Sequence, residues 1–266
     1  MGGRGGYPRE MKILLIDTCG ATGSIAIAET DPRPAIVADT SLPGRTASER
    51  LVPAIKALAA HTNVGLKSLA AIVVVSGPGS FTGVRIGLSA AKGLCAALDV
   101  PLVAISRLAV LAHLAAPWPG ARVYALLDAG RGEFYLGVYA DGAALQEAML
   151  TRAHVLAAIG SPSPGPASPN SGGDGGVGND RPAAIVVACE PAVAEALASL
   201  DPRLVAGPGA ADALPLALRR IQNHDFDDPA TLDANYLRRT DAEIFAKPVA
   251  AKSAQPAPQK SAAPVR

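Results

Sequence analysis

The stretch Ala71–Leu98, AIVVVSGPGSFTGVRIGLSAAKGLCAAL, decides how this chain folds. Its first five residues are apolar and mostly β-branched, the composition of a buried strand. A glycine-rich turn follows, made of Gly77, Pro78, Gly79, Ser80, Phe81 and Thr82. Gly77 and Gly79 allow backbone angles and close approaches that a Cβ forbids. From Gly83 to Leu98 the pattern is that of a long helix, with Thr82 as the expected N-cap. Strand, tight turn and helix in succession are the unit of an α/β sheet. The free N–H groups opening such a helix can hold an anion. Neither standard phosphate signature is present, however. No Gly-Lys precedes Ser or Thr, and Gly77-x-Gly79-x-x-x-Gly83 is one residue too long for the dinucleotide fingerprint.

The helix carries small residues at three- and four-residue spacing: Gly83, Gly87 and Ala91, and the set Ala90, Gly93 and Ala97. Each glycine costs roughly 0.8–1 kcal/mol relative to alanine in a helix interior, so the three glycines ask for compensation. Either this helix packs tightly on its own sheet, or a second helix crosses it closely.

Working outward, Lys12–Asp17 (KILLID) reads as a buried strand ending at a turn, and Ser24–Glu29 alternates as a returning strand does. Ala35–Asp39 is an expected third strand. Ser48–His61 has Leu51, Ile55 and Leu58 at helical spacing, with Ser48 as N-cap and Pro53 near the first turn. Leu102–Ile105 is a short strand before a helix reaching about Leu114. Val123–Leu127 and Glu133–Tyr139 then flank a hairpin turn. Ala184–Ala188 reads as a strand, Pro191–Leu200 and Ala213–Gln222 as helices. Hairpins mixed with crossover helices imply an α/β fold whose sheets are not purely parallel. Each half opens with an apolar strand ending in an acid, Asp17 and Asp128, which suggests a duplicated architecture.

Hydrophobic residues make up 49% of the 266 and charged ones 18%, enough for a sizeable core, although aromatics are only 4%. The balance of 24 basic against 23 acidic residues argues against a cationic nucleic-acid-binding body. Cys19, Cys95 and Cys189 form no C-x-x-C pair or disulfide framework, which suits a reducing cytoplasm. No apolar run reaches the ~18 residues of a membrane-spanning helix. Ser161–Asp180 is dominated by Gly, Pro, Ser and Asn, and the tail from Lys247 by Ala and Pro with scattered cations. Such compositions cannot offset their ordering entropy. The expected organisation is a disordered extension at 1–11, one lobe over 12–116, a second over 117–246 interrupted by a flexible loop at 160–182, and a disordered basic tail at 247–266.

The string SGPGSFTGVRIGLSAAKGL resembles the hallmark of the TsaB family. So do ILLIDTCGATGSIAIAE, SERLVPAI on the first helix, and DAGRGEFYLGVY opening the second half. The resemblance covers about Lys12–Tyr139, and NYLRR from Asn235 suits the end of the family's chain. It implies an actin-like, ribonuclease-H-like fold of two similar lobes with mixed sheets. It further implies a shortened paralogue of TsaD, the catalytic subunit that places threonylcarbamoyl on adenosine 37 of tRNAs reading codons that begin with A. TsaD and the ATPase TsaE are the implied partners, with tRNA engaged only through the complex. Self-association in the absence of TsaD is left open. The expected contact with TsaD comprises Leu51, Ile55, Gly83, Gly87, Ala90, Ala91 and Leu94. The wider superfamily holds nucleotide phosphates between two strand turns, whose counterparts here are Asp17-Thr18 and Asp128, read as a vestigial cleft. No cofactor is expected for the chain alone, and ATP only in the assembled complex.

No catalytic residue or metal site is expected. His61, His113, His154 and His224 form no H-x-x-x-H pair, which would place two imidazoles on one helical face. The His that often precedes Ser-Glu in the family is Ala47 here. Ser48 and Ser80 have no sequence-adjacent base, and Arg131 with Glu133 decorates a hairpin. Two competing readings are an ATP-dependent phosphotransferase of the sugar-kinase type and a peptidase. The first lacks a second adenosine-binding glycine motif, and the second lacks an activated nucleophile.

Overall fold

A computed structural model describes residues 10–43, 46–115, 120–160 and 184–237. The chain forms β1 (Lys12–Asp17), β2 (Thr22–Glu29), β3 (Ala35–Pro43), α1 (Ala47–His61), β4 (Leu69–Val75), α2 (Phe81–Leu98), β5 (Leu102–Ile105) and α3 (Arg107–Ala115). The second half repeats that order: β6 (Arg122–Gly130), β7 (Glu133–Ala140), β8 (Ala143–Thr151), α4 (Arg152–Gly160), β9 (Ala184–Ala188), α5 (Pro191–Ala196), β10 (Arg203–Leu204) and α6 (Leu214–Gln222). The first sheet runs β3-β2-β1-β4-β5 and the second β8-β7-β6-β9-β10. In both, the first three strands are antiparallel neighbours, and the last two add in parallel to the opening strand. The duplication suggested by Asp17 and Asp128 thus extends to every strand. This is the two-lobed, actin-like and ribonuclease-H-like architecture.

β1 and β4 read as continuous apolar runs because both faces are covered. Ile13, Leu15, Ala71, Val73 and Val75 face one core, which Leu214, Ala217, Leu218 and Ile221 of α6 complete. Leu14, Ile16, Ile72 and Val74 face the other, with Leu51, Ile55 and Leu58 of α1 and Leu88, Ala91 and Cys95 of α2. In the second sheet, α3 supplies Leu108, Leu111, Ala112 and Ala115 to one core, while α4 and α5 cover the opposite face with Val155 and Val193. The last helix of each half therefore covers the other half's sheet. The boundary expected near residue 116 separates the sequence repeats but not the packing.

Glu147 of β8 ties the halves together. Its Oε1 accepts from Ser106 Oγ (2.5 Å), just before α3, and from the Tyr139 hydroxyl. Its Oε2 accepts from Asn235 Nδ2 (2.6 Å). The Asn235 N–H in turn donates to Ser76 O (2.8 Å) in the first half. The segment before Asn235 runs along α2, where Lys92 Nζ donates to Leu232 O.

Several boundaries differ from expectation. β3 continues four residues past Asp39, because pairing with β2 extends to Thr22↔Pro43. Thr46, not Ser48, precedes α1, and Pro53 sits in the second turn on the exposed side, where the carbonyl it leaves unpaired can reach water. β8 and α4 had no legible pattern. β8 is an edge strand with no alternation of buried and exposed residues. The extension, loop and tail lie outside the described residues except at their edges. Met11 is buried and its N–H donates to Thr30 Oγ1, and Gly160 ends α4.

Two of the three helix glycines, Gly83 and Gly87, find their compensation inside the chain. The ridge Gly83, Gly87, Ala91, Cys95 is buried. A Cβ on Gly83 would lie 2.0 Å from Thr18 O, and one on Gly87 2.4 Å from Thr18 Oγ1. Both carbons would fall far inside van der Waals contact. Gly83→Ala is therefore expected to destabilise the fold by about 2–3 kcal/mol through overpacking, although alanine is the better helix former. Denaturant unfolding checks this. An unchanged or raised midpoint would show that the β1 turn can retreat at no cost.

Candidate binding cleft

The ends of β1 and β6 face a cleft of about 650 Å³ between the halves. One wall is the β1–β2 turn, Cys19–Thr22, with Gly79 and Ser80 beside it. Arg107 lies at the start of α3. Asp128, Cys189, Glu190, Gly207 and Pro208 come from the second half.

The first wall is held by short bonds. Thr18 Oγ1 donates to Gly83 O (2.6 Å), Cys19 Sγ donates to Val75 O (3.1 Å), and the Ser80 N–H donates to Cys19 O (2.8 Å). Gly79 allows this approach, since a Cβ there would lie 2.4 Å from Cys19 O. Gly77 takes φ +103°, a left-handed conformation that favours glycine. Its carbonyl accepts the Arg107 N–H (2.7 Å), fixing where α3 begins. The N-cap of α2 is Ser80, whose hydroxyl accepts from the Gly83 N–H (3.3 Å). Thr82 lies inside the first turn. The sequence places Ser and Thr two residues apart before the same apolar ridge, and the contact of the Ser80 main chain with Cys19 selects between them.

The two acids share a geometry. Asp17 Oδ1 accepts from the Cys19 N–H (2.7 Å) and Asp128 Oδ1 from the Gly130 N–H (2.8 Å), each two residues on. Their surroundings differ. Asp17 and Thr18 are buried, 2% and 3% exposed, whereas Asp128 is exposed and lines the cleft. Burial pushes the Asp17 carboxyl above its ordinary range, with the Arg107 charge and the Cys19 bonds pulling it down. Of the three residues expected at a nucleotide cleft, only Asp128 reaches it. Asp17 is enclosed and Thr18 spends its hydroxyl on α2, so the first turn offers no acid to a metal bound to a nucleotide. The residues present do not fit a metal–nucleotide complex held between two acids.

Arg107, Cys189 and Glu190 had no distinguishing sequence signal. A lone Arg opening a helix and a Cys-Glu pair ending a strand are ordinary surface patterns. The duplication could have pointed to Cys189-Glu190, since both follow β9 as Ser76-Gly77 follows β4. Burial raises the Glu190 carboxyl, with the Cys189 thiol and Arg107 lowering it and Asp128 adding to the rise. Burial and the neighbouring Glu190 push the Cys189 thiol up to about 12. Burial carries Cys19 well above its usual value as well. Both thiols stay protonated at neutral pH and so are poor nucleophiles. Among the described residues, no three His, Cys, Asp or Glu side chains converge as a metal site. No helix among them is long and apolar enough to cross a membrane.

The expected partner-contact residues divide by burial. Leu51, Ile55, Gly83, Gly87 and Ala91 are enclosed in the chain's own core. Only Ala90 and Leu94 retain partial exposure, and both pack against that core. The correction has a clear physical reason: the closely approached neighbour of the glycine ridge is Thr18, not a second chain. An arginine at Gly87 would disrupt the fold itself. The opposite ridge of α2, Phe81, Arg85, Ser89, Gly93 and Ala97, is exposed along its length. Arg85 stacks 3.6 Å over the Phe81 ring and donates from Nε to the Tyr236 hydroxyl (2.6 Å).

Asp17 has a measurable consequence. The native state holds its proton at pH values where the unfolded carboxyl, near 3.8, has lost it. Stability contributed by this group therefore falls as pH rises from that value through the native one. Asp17→Asn keeps the Oδ1 acceptor and removes the buried charge. Relative to the parent, it is expected to unfold at higher denaturant at pH 7, with the advantage shrinking as pH approaches 3.8. A less stable variant at pH 7 would mean that attraction to Arg107 outweighs burial.

A family profile described as TsaD, tRNA N6-adenosine threonylcarbamoyltransferase, matches residues 41–245. The tRNA threonylcarbamoyladenosine biosynthesis protein TsaB of Bacillus subtilis is 36% identical over 149 residues, 56% of this chain and 63% of that protein. The TsaB of Escherichia coli is 35% identical over 130 residues, 48% of this chain and 55% of its own length. The chain thus matches less than two thirds of these relatives. The solved structure of YeaZ from Pseudomonas aeruginosa superposes with a TM-score of 0.63 at 27% identity, covering 85% of this chain and all of that one.

Proposed function

Because this chain belongs to the threonylcarbamoyltransferase family typified by TsaD, and to its TsaB branch, we propose that it is a non-catalytic partner subunit for threonylcarbamoyl transfer to adenosine 37 of tRNA. It binds TsaD, with TsaE as the further component, and meets tRNA only through that assembly. Fold alone does not carry this reading, since the same architecture hosts unrelated chemistries. Two features of the cleft support it: the thiols are held protonated, and the acid of the first turn is enclosed. The chain therefore turns over no nucleotide alone, and ATP enters only with its partners.

The observation that carries the partner role is the exposed α2 ridge. Phe81 is 48% exposed. A Cβ on Gly93 would meet nothing within 4 Å, so this glycine's cost has no compensation inside the chain. A helix laid along Ser89, Gly93 and Ala97 would meet a groove without large side chains. Val52 on α1 adds a further exposed apolar side chain.

Gly93→Ala is expected to raise stability by roughly 0.8–1 kcal/mol, because nothing in the chain opposes the methyl. Gly93→Arg should keep the fold, checked by thermal melting, and lose co-elution with TsaD in size-exclusion chromatography. Unchanged co-elution would move the interface elsewhere. In a reconstituted assay the purified chain alone should leave tRNA unmodified. TsaD and TsaE should gain threonylcarbamoyl transfer when it is added. Transfer by the chain alone, or full activity without it, would overturn the subunit reading.

A further inference from the structure

Arg107 and Glu190, opposite in charge and both lining the cleft, each keep one enclosed polar atom without a partner among the described residues. Arg107 is nine-tenths buried, and its side chain makes no hydrogen bond or ion pair with any described residue. Its Nε is fully enclosed and unpartnered. The guanidinium lies against the turn, since a Cβ on Gly20 would stand 2.8 Å from Arg107 Nη2. Glu190, also lining the cleft, has its Oε2 likewise enclosed with no partner among the described residues. The two groups feel each other's charge yet form no ion pair. Leaving both a donor and an acceptor unsatisfied is costly in a buried setting, and removing either cost requires a complementary group.

We propose that this cleft binds a small zwitterion of the free α-amino acid class, its carboxylate on Arg107 and its ammonium on Glu190. The forked guanidinium suits a planar carboxylate, which it can hold through two N–H donors. Asp128 at the rim adds a second negative charge to the ammonium end. With Arg107 as the one cation among the described residues lining the cleft, against Glu190 and Asp128, an anion without a positive group meets net repulsion. A simple cation meets the Arg107 charge. A ligand carrying both signs offers a counter-charge to Arg107 and to the acids at once. The volume of about 650 Å³ admits an amino acid with its side chain directed toward Gly207 and Pro208. The proposal is independent of the subunit role, because the cleft and the exposed α2 ridge share no residue.

Isothermal titration of the full chain with the twenty free L-amino acids, each to about 10 mM, tests it. At least one should bind saturably. Its N-acetyl derivative, which lacks the ammonium, and its amide, which lacks the carboxylate, should each bind roughly tenfold more weakly or worse. Glu190→Gln, which removes one charge at constant shape, should weaken binding at least about tenfold while circular dichroism shows the native fold. Arg107→Lys should do likewise by losing the fork. Should either variant fail to fold, the derivative series on the unaltered chain still decides. Absence of saturable binding by every amino acid would overturn the proposal. So would an N-acetyl derivative binding as well as its parent, which would make the cleft an anion site, or magnesium–ATP binding with no amino acid able to compete.

Discussion

Thr18 is the contact from which the rest of the molecule is laid out. Its hydroxyl donates to Gly83 O, and its main chain and side chain fill the space that Cβ atoms at Gly83 and Gly87 would occupy. The end of β1 is thereby pressed onto the first two turns of α2 at a distance only glycine permits. Three placements follow from it. The Cys19–Thr22 turn becomes a fixed wall of the cleft, bonded to Ser80 and Val75. The Gly77 carbonyl is positioned to receive Arg107. The helix is rotated so that Phe81, Arg85, Ser89, Gly93 and Ala97 face solvent. Cleft and outer ridge are consequences of one close approach.

Much of this was legible in the residues. The apolar runs of β1 and β4, the glycine turn and the long helix after it needed only hydrophobic period and turn chemistry, because the two strands are covered on both faces and the helix on one. The pair Asp17 and Asp128 signalled the duplication correctly. What the sequence could not reveal was which way a helix with small residues on two faces turns. Gly83 and Gly93 look alike in the chain, and only the position of Thr18, 65 residues before Gly83, distinguishes them. The same limit hid Arg107 and Glu190. Their significance lies in lacking partners, which is a property of tertiary packing. β8 escaped notice because an exposed edge strand imposes no alternation on its residues.

The cleft also illustrates how a duplicated architecture diverges. Asp17 and Asp128 keep the same bond to the N–H two residues on, so the turn geometry has survived in both halves. One acid is enclosed and held toward its protonated form, while the other stands in solvent. Backbone geometry is preserved by the local hydrogen bond, and chemical character is set by what packs around it. The two can therefore vary separately.

The exchange of α3 and α6 between the sheets bears on how the molecule can move. Rotating one half against the other would drag Leu108 and Leu111 through the second core, or Leu218 and Ile221 through the first, and would strip Glu147 of its Ser106 donor. Two interlocked layers of this kind behave as one plate, with no axis about which a jaw could close. The chain is thus mechanically suited to hold a neighbouring protein in a set orientation, and poorly suited to work that requires a mouth to open and shut around its load.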